Sequence, residues 1–113
     1  MIQLQFLNAL LNSGDSSLLL INNLSEDFFS DYVDEYKFIV NHLRQYGQIP
    51  DKITFLDKFP NFDIVEVNES RDYLIDALFE DRDKRFLAKT FNDIRKLLIE
   101  DKTEEAMNLY STQ

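Results

Sequence analysis

Residues 25–51 read SEDFFSDYVDEYKFIVNHLRQYGQIPD. From Asp31 onward the apolar side chains fall at positions 32, 36, 39, 43 and 46. Alternating steps of four and three residues place them on one stripe of an α-helix. Ser30 is suited to cap that helix, with Asp31 beside the positive end of its dipole. Gly47 follows the last apolar residue, where a glycine in the left-handed conformation stops a helix. Pro50 biases Ile49 away from helical backbone, so Gln48–Asp51 is expected as an extended connector. Ahead of the helix, Ser25-Glu26-Asp27 opens a turn that carries Phe28 and Phe29. Phe28 is expected to anchor the turn in a core, and Phe29 to stay partly exposed.

The flanks follow the same logic. From Ile2 to Leu11, apolar residues recur at 4, 7, 10 and 11, a helix ended by Asn12-Ser13-Gly14-Asp15. Ser16 and Ser17 are placed to cap a second short helix through Leu24. The unbroken apolar run of residues 18–21 also permits a strand, but its flanks favour helix. Downstream, Thr54-Phe55-Leu56-Asp57 resembles a capping box whose helix must be short, because Pro60 follows. Residues 62–67 alternate weakly, as an extended segment would. Asn68 or Ser70 caps a further helix with Tyr73, Leu74, Ala77 and Leu78 on one face. The mixed-charge run Glu80-Asp81-Arg82-Asp83-Lys84-Arg85 either interrupts that helix or marks a solvated turn of it. Leu87, Phe91, Ile94 and Leu98 then form another stripe. Lys102 and Thr103 punctuate, and Ala106, Met107 and Tyr110 begin a final helix. The expectation is a single all-α domain: a compact helical globule over about 1–81, followed by an antiparallel helical hairpin over about 82–113.

Composition agrees. A chain of 113 residues with 44% hydrophobic residues, ten Phe, two Gly and two Pro suits one helical core. Twenty-one acidic against twelve basic residues give a net charge of −9. Such a balance argues against direct contact with nucleic acid and for a basic or apolar protein partner. With no cysteine, thiolate metal sites and cysteine nucleophiles are excluded, and the chain suits a reducing cytoplasm. The opening MIQLQFLNALLNSGD lacks a basic leader and is read as a helix rather than a signal peptide. No apolar run is long enough to span a membrane.

Catalytic chemistry is not indicated. His42 is the single histidine and has mainly polar helical neighbours, so it is read as a surface residue. Gly14 and Gly47 are too far apart to form a phosphate-binding loop. The acidic clusters (Asp31, Asp34 and Glu35; Glu80, Asp81 and Asp83; Glu100, Asp101, Glu104 and Glu105) are read as caps and solvated faces. No cofactor is expected. The aromatic residues are more informative, because a two-helix hairpin has too little volume to bury Phe79, Phe86, Phe91 and Tyr110. Either they pack on the globule or some form a subunit interface. The candidate interface comprises Phe86, Phe91, Ile94, Leu98 and Tyr110.

The order of features resembles a known family. Leu7-Asn8-Ala9-Leu10-Leu11 lies in the first helix, and Leu24-Ser25-Glu26-Asp27-Phe28-Phe29 looks like an L-x-x-E/D-D-F turn. The helix ending at Gly47 follows, then Pro50-Asp51 and Thr54-Phe55-Leu56. This is similar to the N-terminal domain of DnaB-type replicative DNA helicases, whose pattern there is close to DF-x5-H-x2-IF-x6-L-x3-G-x3-D-x2-T. Aligned on Phe28 and Gly47, with one residue fewer before the histidine position and one fewer before the leucine, it matches at Leu43, Asp51 and Thr54. Tyr36 takes the place of the family's isoleucine. Tyr73-Leu74 resembles the later A-Y-L helix start, and Arg85-Phe86-Leu87 the L-R-x-L of the hairpin. The family's histidine falls at Val33 and its phenylalanine at Lys37. The glycine pair before the later helix is replaced by Asn68-Glu69-Ser70, and the segment before the hairpin is short. Such departures fit a divergent, phage-type relative.

The resemblance implies an all-α globule whose hairpins pair into dimers, which assemble as the collar of a hexameric ring. That collar receives the helicase-binding domain of primase and can contact the helicase loader. The motor that hydrolyses ATP is absent from this chain. The chain is then either an excised domain or a stand-alone relative, without direct contact to nucleic acid. The alternative is a stand-alone acidic helical adaptor or inhibitor acting through protein–protein contacts.

Overall fold

The computed structural model describes residues 1–20 and 23–99. The protein is all-α, with no strand among the described residues. Among the described residues five α-helices follow in order: α1 Ile2–Ser13, α2 Ser17–Leu20, α3 Val33–Tyr46, α4 Lys52–Lys58 and α5 Arg71–Ile99. A 3-10 turn, Glu26–Phe29, lies between α2 and α3. The chain divides into two compact units, Met1–Phe79 and Glu80–Gln113.

In the first unit, the apolar stripes become one core. Phe6, Leu7 and Leu10 of α1 are fully buried, together with Phe29, Ile39, Phe55 and Leu78. A core of large aliphatic and aromatic side chains is what few breakers and strong helical periodicity would produce. Helices α1 and α3 both end on glycine. Gly14 (φ 66°) and Gly47 (φ 76°) sit in the left-handed region, and their N–H groups donate to Leu10 O and Leu43 O, each at 2.8 Å. A side chain there would be strained by its own backbone.

Phe28 anchors the turn in the core as expected, whereas Phe29 differs from expectation. Phe29 is completely buried, with its ring stacked on Tyr36 at 4.6 Å and tilted against Phe6 at 5.7 Å. Phe28 is also buried and meets Phe79 edge-on at 4.8 Å. Both rings reach the interior from this one 3-10 turn. Tyr36 keeps its hydroxyl satisfied by donating to Leu24 O at 3.0 Å, while burial pushes its phenol above the ordinary value.

Several helix starts are corrected. Helix α3 begins at Val33 rather than after Ser30. Ser30 and Asp31 are instead engaged by the buried Gln3 of α1: Gln3 Nε2 donates to Ser30 Oγ at 3.2 Å, and the Asp31 N–H donates to Gln3 Oε1 at 2.9 Å. Helix α4 is capped by Asp51, whose carboxylate accepts from the Thr54 N–H at 2.7 Å, so Thr54 is inside the helix rather than its cap. Helix α2 spans Ser17–Leu20, and Leu24 is not helical. Asp15 accepts from the Ser17 N–H at 3.0 Å, doing the work expected of Ser16 or Ser17. Of the two candidates before α5, Ser70 is the cap, accepting from the Tyr73 N–H at 3.2 Å. Tyr46 and Tyr73 leave their stripes and are exposed.

Residues 62–67 form no strand. Buried Asn8 holds them as a strand neighbour would. Its amide donates to Asp63 O at 3.0 Å and to Leu4 O at 2.9 Å, and its carbonyl accepts from the Val65 N–H at 2.9 Å. A buried amide is tolerated because every polar atom has a partner.

Residues 80–85 do not break α5. The mixed-charge run is a helical turn carrying two pairs at i, i+4: Lys84 Nζ to Glu80 Oε1 at 2.9 Å, and Arg85 Nε to Asp81 Oδ2 at 3.0 Å. The helix expected to open a hairpin at about residue 82 is thus continuous with the one before it. The expected second arm, from Ala106, lies outside the described residues.

Candidate assembly interface

Between Phe86 and Leu98, α5 presents an apolar face. Leu87, Phe91, Ile94 and Leu98 recur at helical spacing, with Phe86 and Leu97 extending the row on one side. At 3.6 residues per turn the row covers roughly 140° of the helix. The rest of the circumference carries Arg85, Lys89, Asn92, Asp93, Arg95 and Lys96, with Ala88 and the exposed Ile99 among them. This is the amphipathic pattern of a helix with one face to bury.

Much of that face is open. Phe86 is 52% exposed, Leu87 54%, Phe91 63% and Leu98 48%. Ile94 and Leu97 are half-buried. A soluble helix seldom leaves two phenylalanines and two leucines exposed on one contiguous row, and such rows mark interaction surfaces. Of the five sequence-based candidates, Phe86, Phe91, Ile94 and Leu98 share this stretch of helix, whereas Tyr110 lies outside the described residues. Leu87 belongs to the same row and was missing from the candidate set. Its i, i+4 relation to Phe91 had already placed it on the stripe read from the sequence.

The charges around the row differ in kind from those of the first unit. Residues 1–79 hold thirteen acidic and five basic residues, but residues 80–99 hold four acidic and six basic. Glu80 holds the Lys84 ammonium through a hydrogen bond and by its charge, raising the lysine above its ordinary value. Both partners are largely exposed, so the pair orders the helix surface more than it stabilises the protein.

No protein-family model, curated protein or solved structure matches this chain.

The signature residues Phe28, Leu43, Gly47, Asp51 and Thr54 hold structural positions. Phe28 is core, Leu43 packs against the core, Gly47 ends α3, and Asp51 caps α4 through Thr54. None lies on the α5 face. Among the described residues, no group of three or more His, Asp or Glu side chains is placed to hold a metal ion. Also among the described residues, no helix is long and apolar enough to cross a membrane. His42 is half-buried between Phe38 and Tyr46, with ring centroids 6.0 and 4.7 Å away.

Proposed function

We propose that this chain is an assembly module that pairs with a second copy of itself through the apolar face of α5, in the manner of the collar domain of a DnaB-like replicative helicase. The exposed row Phe86, Leu87, Phe91 and Leu98 carries the proposal. Pairing two copies would remove these side chains from water. Each large side chain fully buried contributes about 1.5–3 kcal/mol of transfer free energy, against the entropic cost of association. In that role the module builds a ring collar and offers its surface to primase, and to the helicase loader. It performs no catalysis of its own.

The test is the solution mass of the chain across a wide concentration range, by sedimentation equilibrium. A monomer–dimer equilibrium is expected, together with binding to the helicase-binding domain of the cognate primase. A strict monomer at high concentration that also ignores the primase domain would overturn the reading.

A second reading is a stand-alone acidic adaptor or inhibitor, favoured by the acidic excess of residues 1–79. The reading frame beyond codon 113 discriminates. Continuation into a phosphate-loop motor rules the adaptor out, and a stop codon supports it.

A further inference from the structure

Helix α4 ends at Lys58, and the chain then makes a tight turn in which the Phe62 N–H donates to Phe59 O at 3.1 Å. Pro60 and Asn61 occupy the middle of that turn. Pro60 is suited to its first central position by its fixed φ. The turn lies against the start of α3, and between them opens a cleft of about 300 Å³. Three aromatic rings line it: Tyr32, Phe59 and Phe62. All three are half-buried. Their positions are held from behind. Phe62 meets Tyr32 edge-on at 5.7 Å and Phe55 at 4.9 Å, while Phe59 meets Phe38 at 5.7 Å.

Two carboxylates complete the wall, Glu35 from α3 and Asp63 from just beyond the turn. Neither carboxylate is engaged in an ion pair among the described residues. One cation, Lys58, stands at the same cleft. The Tyr32 phenol registers this environment. Burial raises it above its ordinary value, and the charges of Asp63, Asp31 and Glu35 raise it further. Aromatic faces attract cations through their quadrupoles, and carboxylates supply direct acceptors.

We propose that this cleft is a binding site for an arginine side chain of a basic partner segment. A guanidinium is flat and weakly hydrated, and it stacks on rings while offering a fork of donors to carboxylates. Here the rings of Tyr32, Phe59 and Phe62 supply the stacking surfaces, and Glu35 and Asp63 accept the hydrogen bonds. A compact lysine ammonium matches the carboxylates but not the flat surfaces. The acidic excess of residues 1–79 draws a basic segment toward this unit, and the cleft selects which side chain enters. The site shares no residue with the apolar row of α5.

The test uses the full 113-residue chain. It is titrated with a synthetic peptide carrying three arginines separated by glycines, and with counterparts in which lysine or citrulline replaces every arginine. Amide shifts are followed by two-dimensional NMR. The arginine peptide is expected to shift Tyr32, Glu35 and residues 59–63. Citrulline, which keeps the shape without the charge, is expected to bind roughly tenfold more weakly, and lysine roughly threefold more weakly. Glu35→Gln with Asp63→Asn should weaken the arginine peptide by roughly fivefold or more, and Lys58→Gln should strengthen it by roughly twofold. Both sets of substitutions are on solvent-accessible side chains, and unchanged far-ultraviolet circular dichroism checks that the fold persists. Shifts scattered over the acidic surface, equal binding of the lysine and arginine peptides, or an unaffected double variant would each overturn the proposal.

Discussion

The two units contain the same kind of sequence pattern with opposite outcomes. In Met1–Phe79, most of the α1 stripe and the inner part of the α3 stripe are buried: Leu7, Leu10 and Leu11, then Tyr36 and Ile39. In residues 80–99, the stripe Leu87, Phe91, Ile94 and Leu98 is equally regular, yet three of its four members are about half exposed or more. Helical periodicity records that a face must be covered. It carries no information about whether the cover is the same chain or another. The first unit supplies its own cover because turns at Gly14, at residues 26–29 and at Gly47 fold helices back on one another. Residues 80–99 contain no such turn, since Glu80–Arg85 is helical and tied by its own i, i+4 pairs.

The contrast is broken most directly at Phe29. Phe29→Ala should destabilise the protein by about 3–5 kcal/mol, because a fully buried ring is replaced by a cavity. Urea unfolding followed by circular dichroism measures it, and a loss below about 1 kcal/mol would mean that Phe29 is not core. A smaller effect is expected at Asn8. Asn8→Ala removes the partners of Asp63 O and Val65 N, and a cost of about 1–3 kcal/mol follows. Hydrogen exchange at the Val65 amide should accelerate, and unchanged protection would show that Asn8 does not hold the segment.

The helix caps sharpen the comparison through pH. The Thr54 N–H bonded to the Asp51 carboxylate holds its pKa below the ordinary 3.8, and Ser17 does the same for Asp15. A depressed folded-state pKa contributes stability that is present above the unfolded value and lost as pH falls through the folded one. The urea midpoint should therefore drop on acidification from about pH 5 to about pH 3, and Asp51→Asn, which retains a capping side chain, should shrink that drop. An identical acid profile in the variant would remove Asp51 from the account.

The smallest effect on stability is expected where the exposed face lies. Phe91→Asp with Leu98→Asp should leave unfolding of the first unit within about 0.5 kcal/mol of the parent while weakening self-association. Equal loss of helicity and of association would instead make these residues core.

Much of the fold was legible in the sequence because its signals are local. Gly47 ends α3 by needing positive φ, and the apolar spacing of residues 2–11 and 36–43 marks the inward faces. The helix starts were less legible, since Ser, Asp and Thr compete for the same role and tertiary contacts choose among them. Gln3 takes Ser30 and Asp31 out of the contest for α3, and Asp51 precedes Thr54 at α4. The exposed row was readable as a stripe, whereas the aromatic cleft was not. Its two walls come from segments more than twenty residues apart, and no local spacing relates Tyr32 and Glu35 to Phe59, Phe62 and Asp63.

The sequence by itself determined the helical class, the two glycine stops and the positions of the apolar stripes. Each depends on backbone preference or side-chain period within a few residues. Only the tertiary structure decided that Phe29 is core, that Asn8 stands in for a strand, that residues 80–99 leave their stripe open, and that a cleft forms beside Tyr32. Those outcomes depend on which distant segments pack together, and packing is settled by the whole chain's competition to bury apolar surface while leaving no polar group unpaired.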